Sequence, residues 1–250
     1  MNLDLSLIVP ALVAGLLVTA THVPLGIQVL SRGIVFIDLA VAQMAGLGVI
    51  FADWLGFEPH GIGVQVAALG AAIVGALALT WTDKHWPDVQ EAVIGVSFNL
   101  AATLAILLLA ANPHGGEHLK DLLIGQILWV RLAELWWVAA VAAAIVAIWF
   151  TSAQRIGRVG FYLLFACAVT VAVQLVGVYL VFTTLIVPAL ATRRMTRHRL
   201  TACYLLGIAA YALGLGISLV GDLPPGPLIV CAMTGLGFAL FLIFRPHAPT

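Results

Sequence analysis

Ionisable and amide side chains are rare in the apolar stretches of this 250-residue sequence, and the few that occur mark where chemistry could take place. A charged group at membrane depth is costly and usually faces a cavity or a partner. Asp38 is the clearest case, in GIVFIDLAVAQMAGLG, with Gln43 in the same apolar run. Its carboxylate could line a path for a cation; it could equally snorkel or bond neighbouring backbone near a helix start. Glu91, Gly95, Asn99 and Thr103 recur at every fourth position, which sets them on one helical face expected to be buried against other helices or to line a path.

The segment NPHGGEHLKD gathers His114, Glu117, His118 and Asp121. These are borderline and hard ligands for a divalent cation, so the loop could capture a metal transiently or be an ordinary solvated loop. Its letters also spell H-x-x-E-H, but that metalloprotease pattern needs a continuous helix, and Gly115 with Gly116 weakens one. The histidines are otherwise notable for their placement. His22, His60, His85, His198 and His247 are expected at span ends, in loops or in the tail, which leaves no imidazole at the centre of an apolar helix. A metal crossing here would have to manage without one.

The elements that position these groups are membrane helices. Hydrophobic residues make up 63% of the chain and charged ones 9%, against roughly half and a quarter in soluble domains, and a mean hydropathy of +1.13 leaves an apolar surplus that must face lipid. Eleven basic residues balance eleven acidic ones, so there is no field to hold nucleic acid. The three cysteines lie in apolar runs without CxxC spacing, which argues against a zinc site or a disulfide framework.

Runs long enough to cross about 30 Å of hydrocarbon are predicted at 5–21, 34–52, 61–81, 92–111, 132–151, 160–176, 178–192, 201–220 and 226–244, with no soluble domain left over. The expectation is an all-α bundle forming a single membrane domain over residues 1–250. The N-terminal run lacks the basic start of a signal peptide and reads as the first span. The apolar stretch 160–192 is one tilted helix or two short ones. Positive charge favours a split near Gln174–Gly177, because Arg32, Lys84, Arg155, Arg158, Arg193, Arg194, Arg197, Arg199 and Arg245 then share one side, leaving Lys120 and Arg131 on the other. That gives about nine crossings, with eight as the rival count, the N-terminus outside and the C-terminus inside. Small residues such as Ala42 with Gly46, Ala71 with Gly75, and Gly235 with Gly237 permit close helix approach.

Neither a G-x-x-x-x-G-K-[ST] phosphate loop nor a G-x-S-x-G elbow occurs, so the sequence offers no means of hydrolysing nucleotide by itself. Uphill transport would draw on an ion gradient or on a separate ATPase. No clear internal repeat of the kind common in gradient-driven transporters is present.

Four stretches taken in order, Pro24–Val49, Glu91–Ala101, Val176–Met195 and Gly221–Val230, resemble the permease subunits of ATP-binding-cassette importers for zinc, manganese and iron. In the first, a hydrophobic helix follows a Leu-Gly turn. The resemblance implies a type II importer permease of the plasma (inner) membrane and a homodimer around a central path. It also implies two cytoplasmic ATPase subunits that bind the ATP, with no cofactor in this chain, and an extracytoplasmic metal-binding protein. Asp38, Gln43 and Asn99 become path residues, and Asp38, His114, Glu117 and His118 candidate metal contacts. A short cytoplasmic helix docks into each ATPase in such transporters, and Arg193, Arg194, Arg197 and Arg199 mark the best position for it. The family's second-span motif pairs Gly-Asp with a His four residues after the Asp. Here Asp38 matches, but Ala42 stands where the His should be, with Gln43 adjacent. A carboxylate plus an amide favours harder cations over zinc. The stretch SAQRIGRVG also looks shorter and less acidic than its family counterpart.

Overall fold

A computed structural model describes residues 5–58, 61–109, 123, 125, 127–152, 155–221 and 223–244. Nine α-helices run through these residues: α1 Leu5–Arg32, α2 Ile37–Trp54, α3 Ile62–His85, α4 Gln90–Leu109, α5 Leu135–Ser152, α6 Arg158–Val176, α7 Val178–Ala191, α8 Arg199–Gly221 and α9 Pro225–Ile243. Only 3-10 turns supplement them, such as Pro87–Val89 before α4. Helices are what an apolar chain must form in lipid, because each bonds its own backbone groups where no water can.

The nine crossings and the eight both find a counterpart. Eight helices are long and apolar enough to cross a membrane, and α7 is a shorter apolar segment of 14 residues, about 21 Å long at 1.5 Å per residue. The split falls at Gly177, whose φ of 81° lies where side chains other than glycine's are strained. Gly125 packs against this corner so closely that a Cβ there would strike the Val176 carbonyl. Contacts fix the directions. Gly15 meets Tyr211, Thr19 meets Gly207 and Ala20 meets Tyr204, so α1 and α8 are antiparallel. Thr184 meets Tyr211 and Ala189 meets Arg199, so α7 is antiparallel to α8 as well. The short helix thus returns the chain to the end where α1 finishes and Arg32 lies.

The first span departs from expectation. The predicted end at Thr21 and the Leu-Gly turn at Leu25–Gly26 are absent, and α1 continues for 28 residues through Pro24 to Arg32. Pro24 has no N–H for the Ala20 carbonyl, a loss that ends helices in water. Here the Tyr204 hydroxyl of α8 donates to Ala20 O at 3.2 Å and replaces the missing bond. Gly26 is needed two residues on, because a Cβ there would collide with the Leu185 carbonyl of α7. The helix actually stops at Gly33 (φ 72°), where Ile34 N bonds Val29 O and Gly33 N bonds Leu30 O, the paired reverse bonds of a Schellman end.

The buried core joins α1, α2, α6, α7 and α8 through residues such as Leu25, Ile37, Phe165, Leu185 and Tyr211. Helices α4, α5 and α9 are peripheral, with 22% of each span buried.

Candidate functional site

The N-terminal end of α2 is built from three neighbours. Phe36 precedes the helix and no side chain of its own segment caps it. The acceptor comes instead from α4, whose Glu91 Oε1 receives the Phe36 N–H at 3.4 Å. Glu91 is held there by its predecessor. Gln90 Nε2 donates to Leu79 O at 3.0 Å and lies 3.5 Å from the Tyr162 hydroxyl, while Thr82 Oγ1 donates to Gln90 Oε1 at 2.9 Å. This buried amide pins the start of α4 to α3 and α6.

Asp38 is the second residue of α2 and is 1% exposed. Its Oδ1 has no hydrogen-bond partner, and neither has the buried Oε2 of Glu91. Two arginines at this end are engaged elsewhere. The Arg32 guanidinium sits 4.2 Å above the Phe161 ring, and Arg158 Nη1 reaches Asp83 Oδ2 at 3.3 Å and Asp83 O at 2.9 Å. Among the described residues no cation pairs with Asp38 or Glu91. An orphaned, buried carboxylate oxygen is expensive unless a ligand completes it.

The other expected path residues are placed differently. Gln43 is buried, but five residues along a helix turn it about 140° from Asp38. Ala42, on the Asp38 face, offers no donor atom. The face of Glu91, Gly95, Asn99 and Thr103 is not uniformly buried: Glu91 and Gly95 are half-buried, Asn99 and Thr103 exposed. A four-residue step overshoots the helical turn by about 40°, so the stripe winds from the α2 contact onto the exposed side of α4. His22 corrects the expectation that imidazoles stay at span ends. It lies fully buried inside the lengthened α1, with Nδ1 3.0 Å from Val18 O and Nε2 without a partner. The Thr21 hydroxyl lies 2.9 Å from the same nitrogen. His22 does not supply the imidazole that α2 lacks, since α1 packs chiefly on α7 and α8, and α2 on α3 and α4.

The basic segment Thr192–His198 is a turn, not the short helix implied for ATPase docking. Arg193 and Arg194 lie 5.5 and 5.0 Å from the Phe241 ring of α9, and Arg197 is exposed. Arg199 differs: its Nη2 donates to Ala189 O at 3.1 Å and holds the end of α7. His114, Glu117, His118 and Asp121 lie outside the described residues. Among the described residues no three His, Cys, Asp or Glu side chains gather as a metal site. An apolar cavity of about 20 Å³ lined by Leu17, Thr21, Ala142 and Ala172 is too small and too dry for a hydrated cation.

Glu91 is the residue that sequence reasoning underweighted. Its position in EAVIGVSFNLA was visible, but its contact with α2 was not.

Comparison with known proteins gives a consistent answer. The model of a family described as "ABC 3 transport family" matches residues 4–159 and 151–244. The manganese transport system membrane protein MntC of Halalkalibacterium halodurans is 25% identical over 98% of this chain and 89% of its own. The high-affinity zinc uptake system membrane protein ZnuB of Haemophilus influenzae is 21% identical over 94% of this chain and 97% of its own. Among solved structures, PsaBC from Streptococcus pneumoniae in complex with Fab superposes with a TM-score of 0.73 at 20% identity, covering 96% of this chain and 91% of that one. The fold is shared over nearly the whole length.

Proposed function

Because the chain belongs to the ABC 3 transport family, we propose that it works as the multi-pass, plasma (inner) membrane permease of a divalent-metal importer, with its energy supplied by a separate ATPase. Relatives named for manganese and zinc uptake support the substrate class. The observation that carries the reading is Asp38, a fully buried carboxylate with an unpartnered oxygen at the end of a membrane helix. Such a group is costly unless a cation passes it.

In this reading two copies enclose a central path, an extracytoplasmic binding protein delivers the cation, and ATP binds only to the partner ATPases. Asp38 meets the cation, with Gln43 and Asn99 further along the path. The exposed Arg193, Arg194 and Arg197 meet the ATPase, while Arg199 keeps α7 and α8 in register behind them. Oxygen donors without an imidazole at position 42 favour manganese or iron over zinc.

The test is co-purification with a candidate ATPase and reconstitution into vesicles, followed by uptake of radioactive manganese, zinc and iron. ATP-dependent uptake is expected. Uptake that proceeds equally well without ATP would replace the permease reading with a gradient-driven transporter.

A further inference from the structure

The structure assigns Glu91 of α4 a positioning role: it fixes the start of α2 and so sets where the Asp38 carboxyl stands. The inference rests on the reading of Asp38 as the group that meets the cation, and adds the residue that holds it in place.

A helix start leaves its first N–H groups without acceptors of their own. Phe36 begins α2: its carbonyl accepts from Ala40 N at 3.3 Å, and its N–H goes to Glu91 Oε1 at 3.4 Å. The ring of the same residue lies parallel to that of Phe182 in α7, with 6.2 Å between centroids. The start of α2 is therefore held at two points, by α4 and by α7. Asp38 follows two residues later, about 3 Å along the helix axis, so its place is set once Phe36 is fixed. Glu91 serves as an anchor because the residue before it is itself fixed. Gln90 is 4% exposed, donates to Leu79 O at 3.0 Å, accepts from Thr82 Oγ1 at 2.9 Å and lies 3.5 Å from the Tyr162 hydroxyl. The first turn of α4 thus starts from a point tied to α3 and α6 and passes that fix to α2 through one hydrogen bond. Glu91 need not touch the cation to act in this way. Groups that hold a metal-binding side chain from behind change affinity by roughly ten- to a hundredfold when removed, because a donor displaced by a fraction of an ångström no longer meets its ion. The plainer role for Glu91 is to stabilise the packing of α4 on α2, which would cost stability on removal and leave the behaviour of Asp38 unchanged.

Two substitutions separate these roles. Glu91→Gln keeps an oxygen that accepts the Phe36 N–H, whereas Glu91→Ala removes the acceptor. The full chain in lipid nanodiscs is followed by amide hydrogen exchange over the segment that contains Phe36 and Asp38, with thermal unfolding in parallel. The same variants, reconstituted with a candidate ATPase, are assayed for ATP-driven Mn²⁺ uptake. Glu91→Ala should speed exchange at Phe36 and raise the KM for Mn²⁺, each by about tenfold, while Glu91→Gln stays within about twofold of the unsubstituted chain in both. Unchanged exchange in Glu91→Ala overturns the inference, as does an unchanged KM accompanied by a lower unfolding midpoint. A Glu91→Gln variant as impaired as Glu91→Ala overturns it too, since the charge and not the contact would then be what matters. Faster exchange in Glu91→Ala, in a chain whose uptake needs neither ATP nor Asp38, upholds the hold on α2 and rejects the reading of Asp38 on which its use depends.

Discussion

Two corners at the arginine end of the bundle use similar polar residues to opposite effect. At the α7–α8 corner, carbonyls in the last turn of α7 are met by side chains, Pro188 O in addition to the Thr192 N–H it already accepts. Thr192 Oγ1 donates to Pro188 O at 2.8 Å, Cys203 Sγ approaches the same oxygen at 3.3 Å, and Arg199 bonds Ala189 O. Tyr204 extends the pattern to Ala20 of α1. The α7–α8 corner leaves one buried donor open, Arg199 Nε, whereas at the α2–α4 corner two acceptors, Asp38 Oδ1 and Glu91 Oε2, are left open. A satisfied polar network rigidifies a fold, whereas an open one in a buried place is poised for something that arrives from outside. In a membrane protein the type of a polar residue therefore says less than whether its hydrogen-bonding capacity is spent.

Substitutions that strike one corner but spare the other sharpen the contrast. The largest effect on transport is expected from Asp38→Ala, which should reduce ATP-driven cation uptake at least about a hundredfold while leaving the unfolding midpoint unchanged or raised, since it removes a buried charge without a partner. Normal uptake would erase the functional half of the comparison. The largest effect on stability is expected from Gly26→Val at the α1–α7 contact, where the Leu185 backbone already fills the space. Overpacking of this kind costs about 3 kcal/mol, to be read by denaturant titration in detergent.

Tyr204→Phe comes next, at about 1–3 kcal/mol for the carbonyl left without a donor. Pro24→Ala restores the N–H that Ala20 O lacks, so the double variant should recover most of that loss, and a double-mutant cycle measures the coupling. Strict additivity would mean that Tyr204 is not what lets the helix pass through Pro24. The smallest effects separate the arginines. Arg199→Ala should cost about 1 kcal/mol of stability, whereas Arg197→Ala should change stability by less than about 0.5 kcal/mol and instead weaken capture of the ATPase, with a loss that is largest at low salt and shrinks as salt is raised.

The placement of the spans was largely legible because it depends on local composition. Apolar length marks each crossing, and the arginines around Thr192–Leu200 demanded the break that Gly177 provides. The site was legible only in part. Asp38 stands out as a lone carboxylate, whereas the repeat of Glu91, Gly95, Asn99 and Thr103, read as buried or path-lining, drifts around the helix and leaves Asn99 exposed in the single chain. His22 was set at a span end because Pro24 reads as a terminator, and the donor that cancels that signal lies 184 residues away in sequence.

By itself the sequence determined that the chain is a membrane bundle, about where most of its spans lie and which end carries the arginines, and it carries no recognisable phosphate-loop motif. Those properties follow from hydropathy and charge, which act along the chain residue by residue. Only the tertiary structure decided that α1 runs through its proline, that Arg199 holds the end of α7 while Arg197 stands exposed, and that Glu91 accepts the N–H ahead of α2. Each of those depends on whether a hydrogen-bonding group finds its complement on another helix, and such a pairing exists only once the helices have packed.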